Sequence, residues 1–262
     1  MKKVTAFLGS ARKKNTFNSV KKMLNILESF GGVETEIIFL CDYQIENCRG
    51  CKLCLDKGEE LCPLKDDRDK LLEKLASSDG VILASPNYSF QVSGIMKSFL
   101  DRIAFNFHRP RFFGKVFTNM VIQGIYGGNK IVKYLDFVGN SLGFNTVNGV
   151  CLTALDPMSE YEQRKIDKSI EKLCHSFYEK LNKPSYPNPS LFKLMIFRMS
   201  RTNMKIILND SYRDYTYYKE KGWFESDYYY DTSLNIFKNM TGRLFDFIAT
   251  NMAKKKDRAP SI

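Results

Sequence analysis

The chain has 262 residues, of which 44% are hydrophobic and 26% are charged. This is ordinary globular composition, so collagen-like, coiled-coil and disordered classes are excluded, and the length allows one large or two small domains. Charged residues interrupt the longest apolar candidate, 191–208, so no run approaches the ~20 residues that span a bilayer. We therefore predict a soluble protein with no membrane partner.

The net charge is +11, which divides into +5 over residues 1–182 and +6 over residues 183–262. Such an excess can attract nucleic acid, anionic nucleotides or an acidic redox partner. Because the sequence carries no helix-turn-helix, zinc-finger or RRM pattern, we predict no nucleic-acid partner. The seven cysteines are an odd number, which fits a reducing compartment. The first eight residues lack a signal-peptide pattern, so the predicted location is the cytoplasm.

Residues 3–182 alternate between short β-branched runs and amphipathic stretches, which is typical of βαβ units with a parallel sheet. The predicted strands are Val4–Gly9, Glu34–Leu40, Gly80–Ser85, Val116–Gln123 and Thr146–Thr153. The predicted helices of this region are Phe17–Phe30, Asp67–Ser77, Gly94–Phe107, Asn129–Leu142 and Ser159–Leu181. The pattern indicates an α/β domain built on a five-stranded parallel sheet.

Three prolines within residues 184–190 forbid a helix there and predict a linker. We therefore predict a domain over 1–182 and a helical extension over 183–262, with helices at Leu191–Leu208 and Thr232–Met252. The segment Tyr212–Tyr230 between these helices is rich in tyrosine. Its aromatic side chains are interpreted either as a lid over a ligand or as part of a helical appendage packed on its own chain or on a dimer mate.

The extreme C-terminal residues include Lys254–Lys256 and Arg258. We interpret them as a solvated, frayed end, with binding to an anionic surface as the alternative.

The first predicted strand runs through a polar loop, Gly9–Thr16, into a helix. Backbone N–H groups at a helix start attract phosphate, so this loop predicts an anion site. An ordinary hydroxyl cap surrounded by solvated lysines is the alternative. The loop lacks the glycine spacing of a dinucleotide site and the Lys-Ser/Thr of an NTPase loop, which argues against both classes.

Two further loops follow the third and fourth strands, at Ser85–Phe90 and Gln123–Gly128. In an open parallel sheet, ligands bind beyond the carboxyl ends of the strands, where these loops and Gly9–Thr16 would converge. Aromatic, amide and hydroxyl groups combined with glycines suit a flat heteroaromatic ring.

The order of these motifs resembles the flavodoxin-like, NAD(P)H-dependent FMN reductases. The residues that carry the resemblance are Gly9, Ser10, Arg12, Asn15, Thr16, Pro86, Tyr88, Lys97, Asp101 and Arg102. A second run of residues resembles the iron-sulfur flavoproteins within that group. It consists of Cys48, Cys51, Cys54 and Cys62, followed by Asp66 and Asp67. The resemblance covers roughly the first 180 residues.

The resemblance implies a flavodoxin-like fold, noncovalent FMN, NAD(P)H as electron donor, and a homodimer or homotetramer. It implies that Ser10, Arg12, Asn15 and Thr16 hold the FMN phosphate. It places Pro86, Asn87, Tyr88, Ser89 and Phe90 along the flavin ring, and Gly124, Tyr126, Gly127 and Gly128 at its other edge. Because the cofactor carries the chemistry, no catalytic side chain is predicted, and His108 and His175 are interpreted as surface or capping residues.

The four clustered cysteines, Cys48, Cys51, Cys54 and Cys62, leave three alternatives open. They could ligate a 4Fe-4S cluster, hold a structural zinc ion, or form a loop without metal. The remaining cysteines, Cys41, Cys151 and Cys174, fall in strand or helix patterns and are predicted to be buried fillers.

The first functional hypothesis is an FMN-dependent NAD(P)H oxidoreductase that reduces a small acceptor such as a quinone, flavin, azo or nitro compound. The second is an iron-sulfur flavoprotein that carries electrons to another redox protein. The third is a scaffold that has lost FMN and binds an acidic partner through its basic tail. The sequence does not distinguish NADH from NADPH and does not identify the acceptor.

Overall fold

The computed structural model describes residues 1–155, 157–183 and 186–256. These form two compact units, the first from residues 1–49 and 64–185 and the second from residues 50–63 and 186–262, as far as each is described. The second unit thus includes an internal segment, 50–63, together with the C-terminal residues. Pro184 of the predicted linker and Arg258 of the predicted frayed end lie outside the described residues. The division into domains 1–182 and 183–262 stays a prediction.

The first unit is built on a parallel sheet. Its strands are β1 (Lys2–Leu8), β2 (Val33–Phe39), β3 (Gly80–Pro86), β4 (Val116–Gln123), β5 (Asn145–Thr146) and β6 (Val150–Thr153). The order is β2-β1-β3-β4-β5, and β6 also pairs with β4. Every pairing among these strands is parallel. Helices flank this sheet, which confirms the predicted flavodoxin-like class.

The sheet separates two apolar cores, and the central strand β3 is buried along its whole length. Val81 and Leu83 point into one core while Ile82 and Ala84 point into the other. This alternation follows from the period of two along a strand. A strand that is covered on both faces consists of a continuous run of apolar residues, and this run allowed β3 to be predicted from the sequence.

The predicted fifth strand, Thr146–Thr153, is wrong as a continuous strand, because it is divided into β5 and β6. Thr146 pairs with Phe117 of β4 and Val150 pairs with Met120, so four steps along one strand match three along the other. The extra residue forms a bulge. Gly149 lies in this irregular stretch and approaches Asn119 so closely that a Cβ would overlap its side chain, so glycine is required there.

A half-buried carboxylate stabilises this bulge. The carboxylate of Asp136 accepts hydrogen bonds from Asn119 Nδ2 (2.7 Å) and from the backbone N–H of Gly149 (3.0 Å). Burial nevertheless raises the pKa of Asp136 more than these two bonds lower it.

The helices of the first unit agree with the predicted ones to within a few residues. They are α1 (Asn15–Ser29), α3 (Arg68–Ser77), α4 (Gly94–Arg102), α5 (Gly128–Ser141) and α6 (Glu160–Leu181). One prediction is too long, because Gly94–Phe107 ends as α4 at Arg102 and continues as a 3-10 turn, Ala104–Phe107. Asn106 Nδ2 donates to the carbonyl of Ile103 (2.9 Å), a local bond that competes with the α-helical pattern.

The second unit is helical. Its helices are α2 (Leu53–Asp56), α7 (Leu191–Ile207), α8 (Arg213–Glu220) and α9 (Ile236–Lys256). The aromatic residues of the tail pack against one another inside this unit: the ring centroids of Trp223 and Tyr218 are 4.9 Å apart, and those of Phe197 and Tyr229 are 4.5 Å apart. Packing on the same chain is what the appendage interpretation predicts. None of the described helices is both long and apolar enough to cross a membrane.

An ion-pair network holds α7 and α9 together. Asp246 of α9 accepts from Arg198 (2.9 Å) and from Arg201 (2.6 Å), both on α7. The side chain of Arg198 is buried and also contacts Asp227. Removing Asp246 would take one of two acidic partners from the buried Arg198, so this network stabilises the packing of the two helices.

Candidate functional site

Strands β1, β3, β4 and β6 end towards the same edge of the sheet, and backbone hydrogen bonds continue one residue beyond the ends of β1, β3 and β6. The backbone N–H of Gly9 donates to Ala84 O (2.8 Å), and that of Asn87 donates to Ile122 O (2.7 Å). Beyond β6, the N–H of Ala154 donates to Gln123 O (2.9 Å). The loops that follow β1, β3, β4 and β6 therefore meet at one edge of the sheet, as the parallel topology requires.

The loop after β1 leads into a helix start with exposed positive charge. Helix α1 begins at Asn15 with no side-chain cap and no acidic residue in its first turn. The first backbone N–H groups of the helix are left for another acceptor, and the helix dipole adds partial positive charge there. Arg12, Lys13 and Lys14 are exposed beside it. These features suit an anion, and the hydroxyl cap that was the alternative interpretation is not seen at this helix start.

The hydroxyl-bearing members of the predicted phosphate site are sheltered. Ser10 and Thr16 are buried, and Asn15 is half-buried. Ser10 Oγ lies 3.4 Å from Arg12 O, and Asn15 Nδ2 lies 3.4 Å from Ala154 O. These bonds are long, so the donors keep capacity for a shorter bond to a charged acceptor.

The loop after β3 turns sharply and presents two aromatic rings. Tyr88 and Gln91 form an antiparallel bridge around a turn, in which Ser89 and Phe90 have φ angles of 49° and 62°. Two consecutive left-handed residues without glycine are uncommon and store strain of order 1–3 kcal/mol each. The turn leaves the side chains of Tyr88 and Phe90 exposed, while Pro86 stays buried in the strand.

The loop after β4 packs against this turn. Asn87 Nδ2 donates to Tyr126 O (3.0 Å), and the rings of Phe90 and Tyr126 lie 5.2 Å apart. Gly127 has a φ of 94°, and a Cβ on it would lie 2.7 Å from the Phe90 ring. Only glycine meets both conditions at this position. Gly124 is exposed and Gly128 is buried at the start of α5.

The loops that follow β1 and β3 also touch. Arg12 Nη2 lies 3.4 Å from the hydroxyl of Tyr88, and both side chains are exposed. The structure thus brings the three predicted groups of residues to one rim. It also includes Gln123, which the sequence analysis placed at the start of its loop but not among the residues that hold the cofactor. Its Oε1 accepts from Gly128 N–H (2.7 Å), and its Nε2 donates to Thr153 Oγ1 (3.0 Å). The sequence signal that could have identified Gln123 as a site residue is its position as a polar residue at the end of an otherwise apolar strand.

The rim suits a flavin mononucleotide. An uncapped helix start beside three cations matches a phosphate dianion. In the described part of the chain, Asn87 Oδ1 is a buried acceptor with no hydrogen-bond partner. An unsatisfied acceptor of this kind costs free energy unless a donor, such as a ring N–H, reaches it. FMN offers both groups in one molecule.

The four clustered cysteines do not form a ready metal site. Cys48 and Cys51 are exposed, Cys54 is half-buried and Cys62 is buried. Within residues 1–155, 157–183 and 186–256, no three His, Cys, Asp or Glu side chains lie together in a way that could hold a metal ion. Cys48 belongs to the first unit and the other three to the second. The four thiols are therefore not gathered at one metal position in this structure.

The remaining cysteines were predicted to be buried, which is wrong for Cys41. Cys41 is exposed because it lies in a turn just beyond β2, at the edge of the sheet. Cys151 is half-buried, and burial raises the pKa of its thiol. Cys174 is buried, and burial raises the pKa of its thiol to about 12. Both histidines are exposed, as predicted.

Comparison with known proteins gives the same assignment. Residues 2–155 match the family described as NADPH-dependent FMN reductase. An iron-sulfur flavoprotein of Archaeoglobus fulgidus is 31% identical over 236 residues, which cover 84% of this chain and 99% of the relative.

Two solved structures share the fold. The structure of RosB with bound 8-demethyl-8-formylriboflavin-5′-phosphate is 15% identical, has a TM-score of 0.57, and covers 90% of this chain and 92% of its own. An apo NADH:FMN oxidoreductase, EmoB, is 19% identical with a TM-score of 0.51, and covers 73% of this chain and 99% of its own.

Proposed function

Since the chain belongs to the NADPH-dependent FMN reductase family and to the iron-sulfur flavoproteins within it, we propose that it is an oxidoreductase that passes electrons from NAD(P)H through FMN to a small acceptor. The observation that carries the proposal is the uncapped start of α1 beside Arg12, Lys13 and Lys14, at the rim where the loops after β1, β3 and β4 meet. The proposed acceptor class is a quinone, flavin, azo or nitro compound, and the proposed location is the cytoplasm.

FMN, when bound, supplies hydride acceptance from a nicotinamide and release of electrons to an acceptor. The residues of the chain itself would bind and orient this cofactor. Ser10, Thr16 and the first N–H groups of α1 would hold the phosphate, and Arg12 would neutralise part of its charge. Asn15 would support the same group.

The other two loops would position the ring. Asn87 Oδ1 would accept from a ring N–H, and its Nδ2 bond to Tyr126 O keeps the amide in that orientation. Tyr88 and Phe90 would flank the ring on one side, and the glycines of residues 124–128 would let the backbone approach its edge. No side chain needs to transfer a proton, in agreement with the exposed positions of both histidines.

The experiment that tests this proposal is purification without oxygen, followed by an absorption spectrum and a turnover assay. We expect a yellow protein with two flavin bands, about one FMN per chain, and oxidation of NADH or NADPH that depends on an added acceptor. A colourless protein that gains no flavin from added FMN would contradict the proposal. That result would leave the scaffold hypothesis.

The second candidate is an electron carrier with a 4Fe-4S cluster on Cys48, Cys51, Cys54 and Cys62. Its support is the name of the Archaeoglobus fulgidus relative, an iron-sulfur flavoprotein that this chain covers almost completely. The assay is iron and sulfide content of the same anaerobic sample, where about four of each per chain and broad additional absorption indicate this candidate. Zinc by metal analysis, or no metal at all, would indicate the other two interpretations of the loop.

A further inference from the structure

Helix α9 buries its small residues and exposes its large ones. Gly242, Ala249 and Ala253 are buried, and a Cβ on Gly242 would lie 3.2 Å from Arg198 Nε of α7. The exposed large apolar residues of the helix are Ile236, Phe237, Met240, Leu244, Phe247, Ile248 and Met252. This is the reverse of the usual amphipathic pattern, in which the large apolar residues face the core.

The exposed apolar residues form one ridge. At about 100° per residue, all seven fall within a sector of about 160°, and the buried Gly242, Ala249 and Ala253 lie outside it. Ile236 is 80% exposed, and Leu244 near the middle of the helix is 53% exposed. The ridge runs along a helix of 21 residues, or about 31 Å. Thr241 and Asn251 also fall within this sector, so the surface is mainly apolar, and a mainly apolar surface of this length indicates an interaction site.

The charges of α9 are almost all positive. Lys238, Arg243 and Lys254 lie at the borders of the apolar sector, and the sequence continues with Lys255 and Lys256. The only acidic residue of the helix is Asp246, which bonds to Arg198 and Arg201 on the α7 side. The exposed side of α9 therefore combines an apolar ridge with positive borders and no negative charge.

A second copy of this helix is a poor partner for that surface. In an antiparallel pair, Lys238 of one copy would lie near Lys254 of the other, and in a parallel pair each lysine would face itself. Neither arrangement offers an acid, because Asp246 is already paired within its own chain. Like charges brought together without compensation oppose association. The ridge instead matches a partner that is both apolar and anionic.

We propose that α9 docks on an anionic lipid surface. The apolar ridge would enter the boundary between headgroups and acyl chains, and Lys238, Arg243 and Lys254 would lie among the anionic headgroups. A helix that lies in the surface needs no membrane-spanning length, so the prediction of no membrane partner, which depended on span length, does not apply to it. The proposal is independent of the flavin chemistry.

Co-sedimentation of the full chain with lipid vesicles tests this docking. We expect binding to vesicles of phosphatidylcholine mixed with phosphatidylglycerol, little binding to phosphatidylcholine alone, and weaker binding at high salt. Replacing Leu244→Asp and Phe247→Asp together should weaken binding about 100-fold, because two apolar contacts are lost and two negative charges are added. Lys254→Glu should weaken it about 25-fold at low salt. The matched control is Phe137→Asp, an equally exposed phenylalanine on α5, which should bind as the wild type does.

Sedimentation velocity without lipid, and circular dichroism of each variant, complete the test. Absence of vesicle binding by the wild type, or equal binding to both vesicle types, would overturn the proposal. Conversion of a dimer into a monomer by the α9 variants would also overturn it, since a second copy would then occupy the ridge. If the double variant does not fold, Lys254→Glu and the salt dependence of the wild type still test the charge requirement.

Discussion

The carboxylate of Asp66 forms a bidentate ion pair with Arg102, with distances of 2.9 Å from both Nε and Nη2. Asp66 also accepts from the backbone N–H of Glu46 (2.9 Å) and of Arg68 (3.2 Å). Both charged side chains are almost fully buried. The pair therefore connects α4 to the chain segments on either side of the cysteine loop. Asp66 and Arg102 are two of the residues that carried the family resemblance, and their ion pair gives both of them a structural role.

Breaking the Asp66–Arg102 pair should lower the free energy of unfolding much more than breaking the exposed pair between Lys97 and Asp101. Asp66→Asn leaves the Arg102 charge buried without its partner, so we expect a loss of about 3–5 kcal/mol in the free energy of unfolding. Asp101→Asn, which removes the exposed pair with Lys97 on the same helix, should cost less than about 1 kcal/mol. Urea unfolding of both variants measures the difference. Equal losses would refute the structural role of the buried pair.

The same pair predicts how stability depends on pH. Burial alone raises the pKa of Asp66, but the bonds from Arg102, Glu46 and Arg68 outweigh it and lower the pKa below its usual value. A carboxyl with a lowered pKa in the folded state stabilises the fold above its unfolded pKa, about 4. That contribution is lost as the pH falls through the folded value. Unfolding free energies from pH 7 to pH 2 should therefore fall less steeply in Asp66→Asn than in the wild type.

The proposed phosphate site predicts an effect of Arg12 on FMN affinity. Arg12→Ala should weaken FMN binding about tenfold at low salt, since it removes a charged donor that is exposed to solvent. The wild-type affinity should fall with rising salt, and that of the variant should fall less. Fluorescence titration of the apoprotein with FMN gives both values. His108→Gln is the control that should bind FMN normally, and the reverse pattern would show that the phosphate lies elsewhere.

Gly127 offers a test of the loop after β4. Gly127→Ala places a Cβ against the Phe90 ring at a left-handed φ, so we expect both lower stability, by about 1–3 kcal/mol, and at least tenfold weaker FMN binding. Gly31→Ala is a matched control, because its φ is 82° but no atom lies within 4 Å of the added Cβ. The control should lose about 1 kcal/mol of stability and keep its FMN affinity. Unchanged FMN binding in Gly127→Ala would remove this loop from the site.

The cysteines should separate by their reactivity with a thiol reagent. Cys48 and Cys51 are exposed and should be labelled in the native protein at pH 8, whereas Cys174 should be labelled only after unfolding. The reason is both access and the pKa of Cys174, which burial raises to about 12. Peptide mass spectrometry identifies the labelled positions. Native labelling of Cys174 would contradict the packing of α6 on the sheet.

The α/β alternation, the strands β1 to β4 and the loops that carry the candidate site could all be predicted from the amino-acid sequence, because buried parallel strands and amphipathic helices leave periodic apolar patterns. It also identified residues in all three loops of the rim, since strand ends of a parallel sheet meet at one edge. These signals are local or follow from topology alone.

The remaining features could not be predicted in this way, because they depend on contacts between residues that are distant in sequence. The close approach of Gly149 to Asn119 involves a residue of the neighbouring strand, and the exposure of Cys41 comes from the position of β2 at the sheet edge. The grouping of residues 50–63 with the tail, and the outward apolar ridge of α9, likewise depend on which surfaces pack together. Periodicity reveals that a helix has an apolar face, but packing alone decides whether that face is covered.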